Sequence, residues 1–196
     1  MKSFKRLSSW LAGAALVGLG LAVAPAAAAN AAVTPAAVAA PGGATPNSIG
    51  AAVEFRNVNS GGCVDVFGGA LQHGAFVGEF SCHNGANQNW LIEPVSSAPG
   101  FVALRNVNSN MCLDLHVGDI SNVHDGTTIQ QWDCFPDNIS SEQWRLDVTN
   151  SGGPGTLTLT SAPKGLCLDT NPDTGSSVLH VATCTPGAFS QMWLEQ

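Results

Sequence analysis

Beyond residue 50 the chain alternates apolar and polar side chains in short runs. Ala52 to Arg56, Phe101 to Arg105 and Thr156 to Thr160 alternate, as do Cys63-Val64-Asp65-Val66 and Cys112-Leu113-Asp114-Leu115. Thr127-Thr128-Ile129-Gln130-Gln131-Trp132 has β character too, and clusters of glycine, asparagine and proline separate these runs. A period of two marks a half-buried strand, and no stretch of 10 or more residues in this part of the chain keeps a clear helical period. The pattern predicts an all-β domain of many short strands.

The N-terminal part reads differently. Lys2, Lys5 and Arg6 precede an uncharged apolar run from Leu11 to Val23, and small residues from Ala24 to Asn30 follow it. This is the layout of a secretory signal peptide. The run falls short of the ~20 residues a spanning helix needs, which argues against stable membrane insertion. We expect residues 1–29 to be the signal, with cleavage near Ala28 or Ala29, and the protein to be extracellular. Residues 30–50 are mostly Ala, Pro, Gly, Thr and Ser. Such a segment buries too little to offset its ordering entropy, so it reads as a disordered linker. Residues 51–196 suffice for one domain with a sizeable core.

That domain repeats itself. Phe55-Arg56-Asn57-Val58-Asn59-Ser60 returns as Leu104-Arg105-Asn106-Val107-Asn108-Ser109, and more weakly as Leu159-Thr160-Ser161-Ala162. Cys63-Val64-Asp65, Cys112-Leu113-Asp114 and Cys167-Leu168-Asp169 follow, then a second cysteine at Cys82, Cys134 and Cys184. Each unit closes on a tryptophan, Trp90, Trp144 or Trp193, and equivalent residues stand 49 to 55 apart. A regular period in this range signals a repeat architecture. The units run over about 51–97, 98–150 and 151–196. An even cysteine count in an exported chain argues for disulfides. The count leaves the pairing open, and the repeat favours pairing within each unit. Three units predict a closed structure with three-fold pseudo-symmetry, since closure removes sheet edges.

Charge narrows the partners. All fourteen acidic residues but only four basic ones, Arg56, Arg105, Arg145 and Lys164, lie beyond the signal, near −10 with histidine neutral. We expect no nucleic-acid partner, because phosphate binding needs clustered positive charge. Gln88 and Gln191 each stand two residues before the closing tryptophan. A buried tryptophan suits a shared core. The glutamine, taken as lying on the same strand, can satisfy backbone groups of a neighbouring turn. Gln88, Trp90, Trp144, Gln191 and Trp193 are therefore read as fold residues.

The pattern of Cys-x-Asp units closed by Gln-x-Trp resembles the ricin B-chain-like lectins, also called family 13 carbohydrate-binding modules. The resemblance covers residues 51–196 and implies a β-trefoil. The second unit departs from it at the hallmark, with Glu142 in the glutamine position. A glutamate accepts hydrogen bonds but donates only when protonated. The resemblance also implies a sugar pocket per unit. An Asp after the first cysteine grips hydroxyls, an aromatic two positions before the second cysteine stacks on the sugar, and an Asn before Gln-x-Trp adds a hydrogen bond. A pyranose has a C–H face and a hydroxyl edge, so a flat apolar surface beside a fixed acceptor suits it.

On this pattern the first unit offers Asp65, Phe80 and Asn87. The second offers Asp114, Trp132 and Ser141, with Gln130 facing the same way as Trp132. The third keeps Asp169, but Ala182 and Ser190 replace the aromatic and the Asn, leaving His180 as the substitute. Purely structural alternatives stand beside these roles: Asp65 as a turn-former, Trp132 as core packing, and the third unit as a copy without a working site. One or two working pockets are expected, for galactose- or xylose-type sugars on mono-, oligo- or polysaccharides.

No catalytic set accompanies them. The five histidines are scattered without metal-ligand spacing, and Asp119, Asp125 and Asp133 lack the tight pattern of a calcium loop. We expect no enzyme activity, no metal, no cofactor, and a monomer. A second class of function is a trefoil that binds proteins or inhibits through one loop. The longest candidate is residues 133–141, with Phe135-Pro136-Asp137-Asn138.

Overall fold

The computed structural model describes residues 49–149, 151–171 and 176–196. The signal peptide and nearly all of the linker expected from the sequence lie outside them. Every regular element described is a strand or a single 3-10 turn. No described helix is long and apolar enough to cross a membrane.

Each unit contributes four strands. The first unit holds β1 (Ala52–Val53) with β2 (Phe55–Asn57), then β3 (Cys63–Val66), β4 (Val77–Phe80) and β5 (Trp90–Pro94). The pair β1 and β2 acts as one strand interrupted at Glu54. The second unit holds β6 (Val102–Asn106), β7 (Cys112–Leu115), β8 (Ile129–Trp132) and β9 (Trp144–Val148). The third holds β10 (Thr156–Ser161), β11 (Cys167–Asn171), β12 (Ser176–Ala182) and β13 (Trp193–Glu195).

First and last strands of the units close a ring. β1 pairs with β5, β5 with β6, β6 with β9, β9 with β10, β10 with β13, and β13 returns to β2. All these pairs are antiparallel, and the closed ring leaves no open edge. The middle strands form three hairpins, β3–β4, β7–β8 and β11–β12. The hairpins meet one another through Gly78 and Val178, Phe76 and Gln130, and Thr128 and His180. This is a β-trefoil with three-fold pseudo-symmetry.

One continuous apolar core fills the barrel, with Phe55, Ile92, Leu104, Leu113, Leu159 and Leu168 wholly buried beside the three tryptophans. Each indole also has its polar end satisfied. Trp90 Nε1 donates to Val64 O at 3.1 Å, Trp144 Nε1 to Leu113 O at 2.9 Å and Trp193 Nε1 to Leu168 O at 3.2 Å. The acceptor is always the residue before the repeat aspartate.

The repeated asparagine has a physical role that the sequence reading left unassigned. Asn57 Oδ1 accepts from the amides of Asn59 and Ser60, and Asn106 Oδ1 from those of Asn108 and Ser109. Each side chain thus shapes the turn that follows it. The same residues donate outward, Asn57 to Ser190 O at 2.9 Å and Asn106 to Asn87 O at 3.0 Å. They stitch one unit to the Gln-x-Trp turn of another. Two residues before each first cysteine the backbone enters the left-handed region, at Gly61, Asn110 and Gly165. Glycine and asparagine tolerate that conformation.

The disulfides pair within units, Cys63–Cys82, Cys112–Cys134 and Cys167–Cys184, as the repeat suggested. One expectation needs correction. Gln88 and Gln191 are not on the strand of the following tryptophan. They end 3-10 turns, Ala86–Gln88 and Phe189–Gln191, and Glu142 ends the matching turn Ser140–Glu142. The turn swings the amide inward, beneath the hairpin.

Gly78 sits where two hairpins meet. A methyl group there would collide with the Phe67 ring and the Ser177 carbonyl oxygen. We expect Gly78→Ala to cost about 1–3 kcal/mol, as overpacking does. A urea titration checks this, and an unchanged midpoint would show that the hairpins have slack the packing does not reveal.

Candidate functional site

The repeat aspartates occupy matched places. Asp65, Asp114 and Asp169 follow a core residue on the second strand of each unit, and all three are buried. The strand alternation sends their neighbours Val64 and Val66, Leu113 and Leu115 into the core. A cysteine two residues earlier pins the strand through its disulfide.

In the first unit, Asn87 Nδ2 and Gln88 Nε2 both donate to Asp65 Oδ2, at 2.9 and 2.8 Å. Burial pushes the Asp65 carboxyl above its ordinary value, opposed chiefly by the hydrogen bond from Gln88. Phe80 stands opposite Cys63 on β4 and is 56% exposed, a flat apolar face open to solvent. Gly78 is the residue directly opposite Asp65. Sequence reasoning missed His83. Its Nδ1 accepts from the Gly85 amide at 3.1 Å, which leaves the proton on Nε2, 3.5 Å from Asp65 Oδ2. Its ring lies edge-on to Phe80, centroids 6.2 Å apart. The only signal for it was its position just after a disulfide cysteine.

The second unit builds the pocket with different parts. Gln130, opposite Asp114 on β8, donates to Asp114 Oδ2 at 2.7 Å. Burial raises the Asp114 carboxyl, and hydrogen bonds from Ser141 and Gln130 oppose the rise. Trp132 is 40% exposed, so it is a surface face and not core. A segment of the first unit reaches this pocket. Gln131 Nε2 holds the carbonyls of Ala70 and Gln72 at 2.9 and 3.0 Å. That anchor brings His73 edge-on to Trp132, centroids 5.1 Å apart, with His73 Nδ1 3.5 Å from Asp133. No pattern within one unit points to a residue borrowed from another.

The third unit retains the frame without the face. Gln191 Nε2 donates to Asp169 Oδ2 at 2.8 Å. His180 lies opposite Asp169, yet its Nδ1 and Asp169 Oδ1 are buried without partners. Ala182 stands opposite Cys167, where Phe80 and Trp132 stand in the other units. In this unit a groove of about 490 Å³ runs past Arg145, Asp147 and Pro186, and Asp169 is not among the residues that line it.

The segment 133–141 is tied down at both ends. Phe135 N donates to Glu142 at 2.7 Å, Gln143 Nε2 to Pro136 O at 2.6 Å, and Asp137 accepts from Ser96 and Ser97 at 2.8 Å each. Asp119 caps a turn through Ser121, and Asp125 accepts from Thr183. Among the described residues no group of His, Cys, Asp and Glu could hold a metal ion.

The ricin-type β-trefoil lectin domain model matches residues 51–193, nearly the whole of the repeat region. The chain belongs to the ricin-type β-trefoil lectin family. As a member it is a carbohydrate-binding module without catalytic activity. Solved structures agree on the fold. The designed three-fold symmetric protein ThreeFoil is 24% identical, with 74% of this chain and 96% of that chain covered and a TM-score of 0.64. A ricin B-like lectin from Macrolepiota procera, solved with lactose, is 19% identical over 78% of this chain and 99% of its own, with a TM-score of 0.60. The Rhizoctonia solani agglutinin is 15% identical over 82% and 98%, also at 0.60. Comparison with curated proteins finds no match. The lectin repeats keep the amide–aspartate frame in units one and three, and replace the amide by Glu142 in unit two.

Proposed function

We propose that this lectin is a secreted, monomeric protein that binds galactose- or xylose-type sugars through two shallow pockets, in its first and second units. Residues 1–29 act as the export signal and residues 30–50 as a linker. The observation that carries the sugar reading is an exposed aromatic face beside a buried, hydrogen-bonded aspartate in both units. Asp65 with Phe80, Asn87 and His83 form one pocket; Asp114 with Trp132, Gln130, Ser141 and His73 form the other. The third unit has no aromatic face, so Asp169 and His180 serve the fold. A lactose complex of the Macrolepiota lectin supports a galactose-type ligand.

Shallow single-sugar pockets bind near 1 mM, about −4 kcal/mol. Two on one rigid body gain avidity for a polymer whose spacing matches theirs. Lactose and xylo-oligosaccharides titrated by NMR into the oxidised protein test the reading. Asp65→Ala and Asp114→Ala should each remove one set of shifted signals, and the double variant should remove all binding. Asp169→Ala should leave the sugar-induced shifts unchanged. Binding that survives the double variant in a folded protein would overturn these site assignments. No binding of either sugar class to the wild type would reject the galactose- or xylose-type ligand.

A further inference from the structure

The three units answer one hydrogen-bonding problem twice with glutamine and once with glutamate. Gln88 Nε2 donates to Asp65 at 2.8 Å and to Ser81 O at 3.0 Å, while its Oε1 accepts from the His83 amide at 2.8 Å. Gln191 repeats this with Asp169, Thr183 O and the Thr185 amide at 2.8, 3.0 and 2.8 Å. In the second unit Glu142 Oε2 accepts from the Phe135 amide at 2.7 Å, which is the role of the amide oxygen. Glu142 Oε1 falls to the role of the amide nitrogen, and it is an acceptor.

The counterparts of its expected acceptors are the Asp114 carboxylate and the Asp133 carbonyl. Glu142 is wholly buried and Asp114 nearly so. Both Glu142 Oε1 and Asp114 Oδ1 are buried with no hydrogen-bond partner. Asp114 has Gln130 as a donor on Oδ2, but with both carboxyls ionised Glu142 Oε1 and Asp114 Oδ1 would stay buried without one, an expensive arrangement. A proton on Glu142 Oε1 converts it into the missing donor.

We propose that Glu142 is a positioning residue of the second sugar pocket and works as the neutral acid, its proton replacing the glutamine N–H that holds the aspartate in the other units. This inference rests on the sugar reading of that pocket and adds its regulation. The second pocket then binds in mildly acidic solution and loosens as Glu142 ionises.

The surroundings agree. Burial, foremost, raises Glu142 from its ordinary 4.5 to about 7; the charges of Asp114 and Asp133 add to the rise, and the Phe135 amide and Arg105 oppose it. Two histidines neighbour the site. His116 acts on Asp114, and His73 touches Asp133 and Trp132. His83 is confined to the first pocket. Because the folded acid holds its proton more tightly than the unfolded one, its contribution to stability is complete below pH 4.5. That contribution is lost as pH rises through about 7.

The test uses Asp65→Ala protein, which silences the first pocket and the influence of His83. Lactose is titrated against the Trp132 indole signal at pH 6 and pH 8.5, alone and with Glu142→Gln added. The expected affinity falls about thirtyfold between these values, the result of roughly one and a half units of titration above the carboxyl's midpoint. Glu142→Gln should flatten the profile and keep the acid-side affinity. An equal fall in the Glu142→Gln protein would assign the effect to His73 and His116 and overturn the proposal.

A second readout needs no sugar. The Glu142 carboxyl carbon of the ligand-free protein should titrate near 7, with the Gln130 and Asp114 signals moving in step. Titration in the ordinary carboxylate range would overturn the proposal whether or not lactose binds. Lactose failing at both pH values while Glu142 titrates near 7 would count against the galactose-type ligand alone.

Discussion

Trp90→Ala is expected to remove most of the domain's stability. The indole is wholly buried at the junction of β5, β1 and β6, and its loss opens a cavity where strands of two units meet. Large aromatic truncations in cores cost about 3–5 kcal/mol. The indole nitrogen also satisfies the Val64 carbonyl, 3.1 Å away. A buried carbonyl left unpaired adds about 1–3 kcal/mol. Single domains carry roughly 5–15 kcal/mol in all. Urea unfolding should therefore show either a largely unfolded variant or a midpoint far below that of the wild type. Trp90→Phe separates the two contributions, keeping most of the apolar body and losing the donor. A loss under about 2 kcal/mol for Trp90→Ala would mean that the three tryptophans are not equal pillars of one core.

Reduction of all three disulfides is expected to unfold the domain at ambient temperature. They close loops of 19, 22 and 17 residues. On the chain-entropy model each contributes about 3 kcal/mol, so together they approach the usual stability of a whole domain. Their placement couples fold to site. Cys63 and Cys112 are buried beside the core, while Cys82 and Cys134 lead straight into His83 and Phe135. Those two residues give their amides to Gln88 and Glu142. Removing one bridge by Cys112→Ala with Cys134→Ala should thus weaken the second pocket before it melts the barrel. Thermal unfolding followed by tryptophan fluorescence, with and without reductant, measures the global effect. A transition that does not shift on reduction would show that the apolar core alone carries the fold.

Much of this architecture is written locally. Alternation in runs such as Phe101 to Arg105 places apolar side chains on the barrel interior because strand geometry has a period of two. The repeat of cysteine, aspartate and tryptophan carries three-fold symmetry, since identical local sequences solve identical packing problems. The resemblance to lectins rested on those same residues. Local pattern failed at Gln88 and Gln191, which looked like strand residues two positions from a tryptophan. A 3-10 turn intervenes, and turn geometry depends on hydrogen bonds to Ser81, His83, Thr183 and Thr185, which are distant in pattern if near in number.

The sequence by itself determined the all-β class, the three-fold repeat, the disulfide pairing favoured by the repeat, and the positions of the three aspartates. These follow from periodicity and recurrence, which are properties of the chain alone. Only the tertiary structure decided which side chains share a pocket. It brought His83 to Asp65 and carried His73 from the first unit to Trp132 of the second. It also buried Glu142 and Asp114 with unpaired oxygens. The physical reason is that solvation and hydrogen-bond partnership belong to a place in space. A glutamate is an ordinary acid in the chain and becomes a proton carrier where the fold withholds water and a donor.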